Sequence, residues 1–201
     1  MFLTRSPSHP AFDPVLVHDP VMLRTATTSD HREWLALREV SREHLTEWEE
    51  AWSAPHITLA SFRRRLRAYE RERAKGSGLF LLGFNRADKV LVGGVTLTNI
   101  RYGASRSGLL GYWIGAPHVR KGYGAAMVRA VAAHAFEVLD LNRLTAACQP
   151  GNVASQKLLE RCGFSREGLA RDYLKINGAW RDHYLYAITA ADHRSRELQA
   201  S

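Results

Sequence analysis

The residues from 108 to 164 constrain this chain most, because they set out a strand, a glycine loop, a helix, a second strand and a second helix in unbroken succession. Gly108-Leu109-Leu110-Gly111-Tyr112-Trp113-Ile114 reads as a strand, and Val119-Arg120-Lys121-Gly122-Tyr123-Gly124 as the loop after it. Val128, Val131, Ala132, Ala135, Phe136 and Leu139 then recur at helical spacing. Leu144 to Cys148 comes next as a strand, and Asn152 caps a helix that carries Ser155, Leu158, Leu159 and Cys162 on one side and ends at Gly163. Strand, glycine loop and helix together make a phosphate site, since Gly122 and Gly124 let successive N–H groups converge beside the positive end of the helix dipole. A Gly-x-Gly between strand and helix is also a common tight turn, so the pair alone leaves both readings open.

Residues beyond the loop narrow the choice. Asn152, Ser155, Leu158, Gly163 and Phe164 form an Asn-x-x-Ser-x-x-Leu-x-x-x-x-Gly-Phe motif. Joined to the glycine loop, this motif resembles the GNAT superfamily of acetyl-CoA-dependent N-acetyltransferases. Glu167-Gly168-Leu169-Ala170-Arg171-Asp172-Tyr173-Leu174 and Asn177-Gly178-Ala179-Trp180-Arg181-Asp182-His183 look like the RimJ type, the ribosomal-protein alanine N-acetyltransferases. The resemblance covers residues 20 to 190 and is weaker before residue 78. It implies an α/β GNAT fold: a single domain with a mixed, mostly antiparallel sheet of six to seven strands, flanked by helices on both faces. Acetyl-CoA is the implied cosubstrate and no metal is expected. In such a fold the strands ending at Ile114 and Cys148 splay apart, and the pantetheine arm enters between them.

Bulk properties agree with one soluble domain. The chain has 201 residues of which 45% are apolar, enough for one substantial core. Lys and Arg number 28 against 20 Asp and Glu, a formal charge of +8 that favours encounters with nucleic acid, ribonucleoprotein or a phosphorylated cofactor. Two cysteines, Cys148 and Cys162, make no disulfide framework and lack a flanking His or Lys, so both read as buried thiols in a reducing compartment. The N-terminus lacks the pattern of a signal peptide and no run is apolar enough to span a membrane, so a cytoplasmic protein is expected. The domain is expected to run from residue 15 to 190, after an extension (1–14) and before a tail (191–201).

Before the motif region the signals are sparser. Residues 15 to 27 read as one strand that Pro20 marks as an edge or a bend. Thr28-Ser29-Asp30 supplies a helix cap ahead of Trp34, Leu35, Leu37 and Val40. Trp48 and Trp52, four apart among Glu47, Glu49 and Glu50, would share one helical face, either on the core or overhanging an acceptor site in which Glu49 receives the substrate amine. Residues 58 to 75 form a charged helix whose Arg64, Arg67 and Arg71 stand in a stripe, a solvated face or a contact to ribosomal RNA. Residues 79 to 101 read as a hairpin, and Asn177-Gly178 as the turn of another.

The resemblance assigns the chemistry. Backbone N–H groups from Arg120 through Lys121, Gly122, Tyr123 and Gly124 to Ala125 would cradle the pyrophosphate, with Arg120 and Lys121 adding charge. Val119 stands where relatives carry Gln or Arg, which removes a side-chain contact there. An N–H near Ile114 is the oxyanion donor. Many relatives place a tyrosine after the leucine of the Asn motif to meet the leaving thiolate, but this chain has Leu159, so Ser155 takes that role, beside Asn152 in the cofactor site. Asp172 and Glu49 are the candidate bases. A protein α-amine is easier to neutralise than a lysine by about 3.5 kcal/mol, which suits a weak base. The expected activity is acetylation of a protein N-terminus, most simply a ribosomal protein beginning with Ala or Ser. A small amine such as a polyamine or an antibiotic is the alternative acceptor, and a non-catalytic module binding coenzyme A or the ribosome is the alternative of another class.

Overall fold

A computed structural model describes residues 10–50, 52 and 57–200. Its centre is an eight-stranded sheet, where six to seven strands were expected. The expected single strand over 15 to 27 is in fact a hairpin, β1 (Leu16–His18) and β2 (Val21–Thr25), turning at Asp19 and Pro20. Proline has no N–H for a ladder, so the chain reverses there rather than running on. The remaining strands are β3 (Leu79–Asn85), β4 (Leu91–Arg101), β5 (Ser107–Ile114), β6 (Arg143–Cys148), β7 (Ser165–Ile176) and β8 (Ala179–Thr189), in the spatial order β1-β2-β3-β4-β5-β6-β8-β7. All neighbours are antiparallel except β5 and β6.

Alternation along the strands sends residues to two cores. Leu79 and Leu81 join the larger one, which holds the fully buried Met127, Val128 and Val131 of α4 (Tyr123–Ala133) and Leu159 of α5 (Val153–Arg161). Each such side chain contributes about 1.5–3 kcal/mol through burial. Ala11 and Phe12 belong to this core too, and the Nε2–H of the buried His134 donates to the Ala11 carbonyl at 2.7 Å. Leu82 and Phe84 face the other way, against Trp34 and Leu37 of α1 (His31–Val40) and Phe62 of α3 (Leu59–Ala74). Helices therefore cover both faces of the sheet.

The expected helix through Trp52 does not form. α2 spans only Arg42–Thr46, and residues 47–50 continue as turn and bend. Two neighbours claim the carbonyls a longer helix would use: Gln149 Nε2 donates to the Glu47 oxygen at 3.4 Å and the Asn177 N–H to the Glu49 oxygen at 3.1 Å. Trp48 consequently lies against Gly151 while Trp52 lies over Arg38, so the two indoles do not share a face. Residue 177 is able to reach the loop because Asn177 (φ 46°) and Gly178 (φ 82°) form the tight turn of the β7–β8 hairpin. The chain closes with α6 (Ala190–Ala200).

Candidate active site

β5 and β6 pair in parallel for only three residue pairs, ending at Leu109 and Thr145, yet β5 runs on to Ile114 and β6 to Cys148. Past those pairs the strands diverge, and one edge of β5 faces a gap rather than a neighbour. The loop after β5 leads into α4. Arg120 (φ 60°) and Gly122 (φ 84°) both adopt left-handed backbone, the alternation that turns peptide N–H groups into a concave nest. The N–H groups of Tyr123, Gly124 and Ala125 open the helix and have no carbonyl of their own helix to bond. Arg120 and Lys121 are exposed and flank the nest, whereas Val119 is half-buried and brings no charge. Gly124 lies close to α5: a Cβ there would meet Leu158 Cδ1 at 2.6 Å and Ile114 Cγ1 at 3.4 Å. Ile114, Gly124 of the loop and Leu158 of α5 thus converge beside the gap, and the N–H groups of residues 123–125 are donors of the kind that suits the phosphates of a coenzyme A.

Asn152 caps α5 as expected, its Oδ1 accepting from the Ser155 N–H at 3.0 Å. Ser155 Oγ pairs with Tyr112 Oη, 2.8 Å away across the gap. Burial raises the Tyr112 phenol above its ordinary range, opposed by the bond to Ser155. Burial likewise raises the thiols of Cys148 and Cys162, which are free. Leu159 is fully buried in the larger core, so its side chain faces away from this pair. Sequence reasoning passed over Tyr112, although period-two alternation places it on one face of β5 with Leu110 and Ile114.

On the opposite face of the sheet, Gly94, Val95 and Thr96 of β4 and Trp113 of β5 floor a cavity of about 290 Å³. Trp34, Trp52, Tyr69 and Phe62 help to wall it, and Glu49 and Glu50 stand in its lining. Glu49 does not stand free. Arg38 donates to both of its oxygens, and Trp52 Nε1–H donates to Oε2 at 3.0 Å. Arg38 is 5% exposed, a burial the sequence did not signal. Asp172 is exposed on edge strand β7 in an irregularity between Ala170 and Leu174, with left-handed backbone (φ 46°). Its N–H donates to Asp182 Oδ1 at 2.9 Å. The structure thus gathers the loop, Ile114, Asn152 and Ser155, sets Glu49 across the sheet, and leaves Asp172 at its margin.

A family model described as an acetyltransferase (GNAT) domain matches residues 21–165. The [ribosomal protein uS5]-alanine N-acetyltransferase of Escherichia coli is 32% identical over 76% of this chain and 78% of its own length. The probable N-acetyltransferase YjcK of Bacillus subtilis is 32% identical over 86% of this chain and 95% of its own. Among solved structures, Mycobacterium smegmatis RimJ in complex with CoA-disulfide superposes with a TM-score of 0.87 at 29% identity, over 96% of this chain and 97% of that one. The chain belongs to the GNAT family of acetyltransferases. It is an acetyl-CoA-dependent N-acetyltransferase, similar to the ribosomal-protein alanine acetyltransferases called RimJ.

Proposed function

We propose that this enzyme acetylates the N-terminal α-amine of a protein, a ribosomal protein beginning with Ala or Ser, in the cytoplasm. The observation that carries the reading is the cavity holding Glu49 and Glu50, whose floor is made by Trp113 of the same strand that borders the cosubstrate gap. Aromatic faces and the Glu50 carboxylate attract a cationic amine, while Glu49 is matched by Arg38; the pocket, which Arg65 also lines, opens on the sheet face opposite α4 and α5. The similarity to a uS5-alanine acetyltransferase supports a ribosomal acceptor. Exposed Arg63, Arg64, Arg67 and Arg71 on α3 support contact with ribosomal RNA.

Acetyl-CoA supplies the acetyl group as an activated thioester, held by the backbone of residues 120–125 and by the gap beside β5. Ser155, capped in place by Asn152, donates a hydrogen bond toward the departing sulfur. The N–H near Ile114 stabilises the developing oxyanion. Glu49, held by Arg38 and Trp52, orients the incoming amine, and Glu49 or Asp172, acting through a water, takes up its proton.

Thiol release from acetyl-CoA tests the reading, measured with peptides bearing free Ala, Ser or Met termini and with N-blocked peptides bearing lysine. Turnover confined to free Ala or Ser termini is expected. Turnover with a polyamine and with none of the peptides overturns the assignment of a protein acceptor.

A further inference from the structure

The bond between Tyr112 and Ser155 joins elements on either side of the gap, and nothing in the activity described so far assigns Tyr112 a task. We propose that Tyr112 is the positioning residue for Ser155, donating its phenolic proton to Ser155 Oγ so that the serine O–H is left to point at the sulfur of coenzyme A. The inference rests on the reading of Ser155 given above.

Three observations carry it. A serine inside a helix commonly turns its hydroxyl back to a carbonyl one turn earlier, which would use up its only proton. Ser155 instead faces Tyr112 at 2.8 Å, with the buried Cys148 thiol also in its reach as a weak acceptor that the sulfur of coenzyme A would displace, and the Ser155 carbonyl, 3.4 Å from the same phenol, is a weaker competitor for it. Tyr112 is also held firmly: its strand pairs with β4 through Val95, and its ring is packed against the larger core. Finally, among the described residues the titratable groups acting on the phenol are Cys148, Cys162 and Tyr186, all acids whose charged forms burial disfavours. None of the three is a cation that could stabilise the phenolate, so the phenol keeps its proton.

That environment also decides what the pair can and cannot do. An ordinary thiol titrates near 8.5 and a phenol near 10, and burial moves Tyr112 further upward. Moving the tyrosine proton onto the thiolate is therefore uphill. The two hydroxyls act as hydrogen-bond donors in series, Tyr112 to Ser155 and Ser155 to sulfur, and both keep their protons. In the transfer itself the amine nitrogen bonds to the acetyl carbon, the carbon–sulfur bond breaks with its electron pair going to sulfur, the proton lost by nitrogen passes through water to a carboxylate, and the thiolate takes its proton from solvent as coenzyme A leaves.

The titration and affinity measurements need no acceptor, and the kinetic one uses a free-Ala peptide. The thiol of bound coenzyme A is titrated by the ultraviolet absorbance of its thiolate in the wild type, Tyr112→Phe and Ser155→Ala, and coenzyme A affinity is measured at a pH where the thiol is protonated. In the wild type the bound thiol is expected to titrate below free coenzyme A, because a hydrogen bond to the charged form favours it. Both variants should return it toward the free value, and Tyr112→Phe should keep affinity within about twofold and lower kcat roughly tenfold with KM for acetyl-CoA little changed. A shift in Ser155→Ala but none in Tyr112→Phe overturns the role of Tyr112 and leaves that of Ser155. No shift in either overturns both. Lower affinity in Tyr112→Phe with an unmoved thiol titration marks a merely structural tyrosine and likewise overturns it.

Discussion

Arg38 grips Glu49 through both terminal nitrogens, at 2.9 Å to Oε1 and 2.5 Å to Oε2, with its guanidinium carbon 4.0 Å from the ring centre of Trp52 and 5.0 Å from that of Trp113. The pair ties α1 to the loop beside the cavity floored by Trp113. Arg38 Nε is buried and has no partner among the described residues, so the guanidinium depends on Glu49 and on the indole faces for its compensation.

Glu49→Gln should therefore be destabilising. Removing one member of a fully buried pair costs about 3–5 kcal/mol, and the 28% exposure of the Glu49 side chain reduces this to roughly 2 kcal/mol. A urea midpoint unchanged by the substitution would show that the indoles alone hold the arginine. The KM for the acceptor should rise with little change in that for acetyl-CoA.

The two loop glycines should fail differently. Gly122 needs left-handed backbone but has nothing within 4 Å of an added Cβ, so Gly122→Asn should be tolerated, asparagine being the residue that best accepts that conformation. Gly124 is limited by Leu158, and Gly124→Asn should overpack the junction of α4 and α5 by about 1–3 kcal/mol. Thermal melts with and without coenzyme A distinguish the two, at roughly 2–4 °C per kcal/mol for a chain of this size. Equal losses at both positions would contradict the geometry.

Burial lowers the pKa of His134 below its ordinary value, against the opposing effect of its bond to Ala11. As pH falls below about 6.5 the unfolded chain takes up a proton that the folded chain resists, so stability drops from there down to the folded-state pKa and is flat above. His134→Gln should remove that part of the pH dependence between pH 7 and 5, which chemical denaturation at several pH values would reveal.

Arg63, Arg64, Arg67 and Arg71 are exposed on α3 and fall within an arc of about 100°. Replacing all four by Gln should weaken binding to ribosomal particles and lower its log–log salt slope by roughly one for each phosphate no longer neutralised. Acetylation of a short peptide should continue at the wild-type rate. Unaltered particle binding would assign the stripe to solvent.

The run from β5 through α5 was legible in the sequence because its signals are local: a glycine loop, a helical apolar stripe and an Asn cap each act within a turn or two. The splay of β5 from β6 came only through resemblance. The region before β3 was read less well. Pro20 announced an interruption without saying that the chain reverses there, and the loop at 47–50 is shaped by Gln149 and Asn177, whose bonds to it no local pattern reveals. Glu49 was singled out for its charge, but its partner Arg38 lies on another helix, and pairing across elements leaves no spacing to read. Tyr112 was within reach, since it shares a strand face with Ile114, but a hydroxyl counts as a partner only when the opposite bank of the gap is known.

With three ladder pairs between β5 and β6, the sheet divides into two panels, β1 to β5 and β6, β8 and β7, joined along a short seam. Anything lodged in the open part of that seam would touch both panels as well as bind between them. A cosubstrate lodged there would be a removable structural member, and coenzyme A is expected to slow amide hydrogen exchange along β5 and β6 that its departure restores.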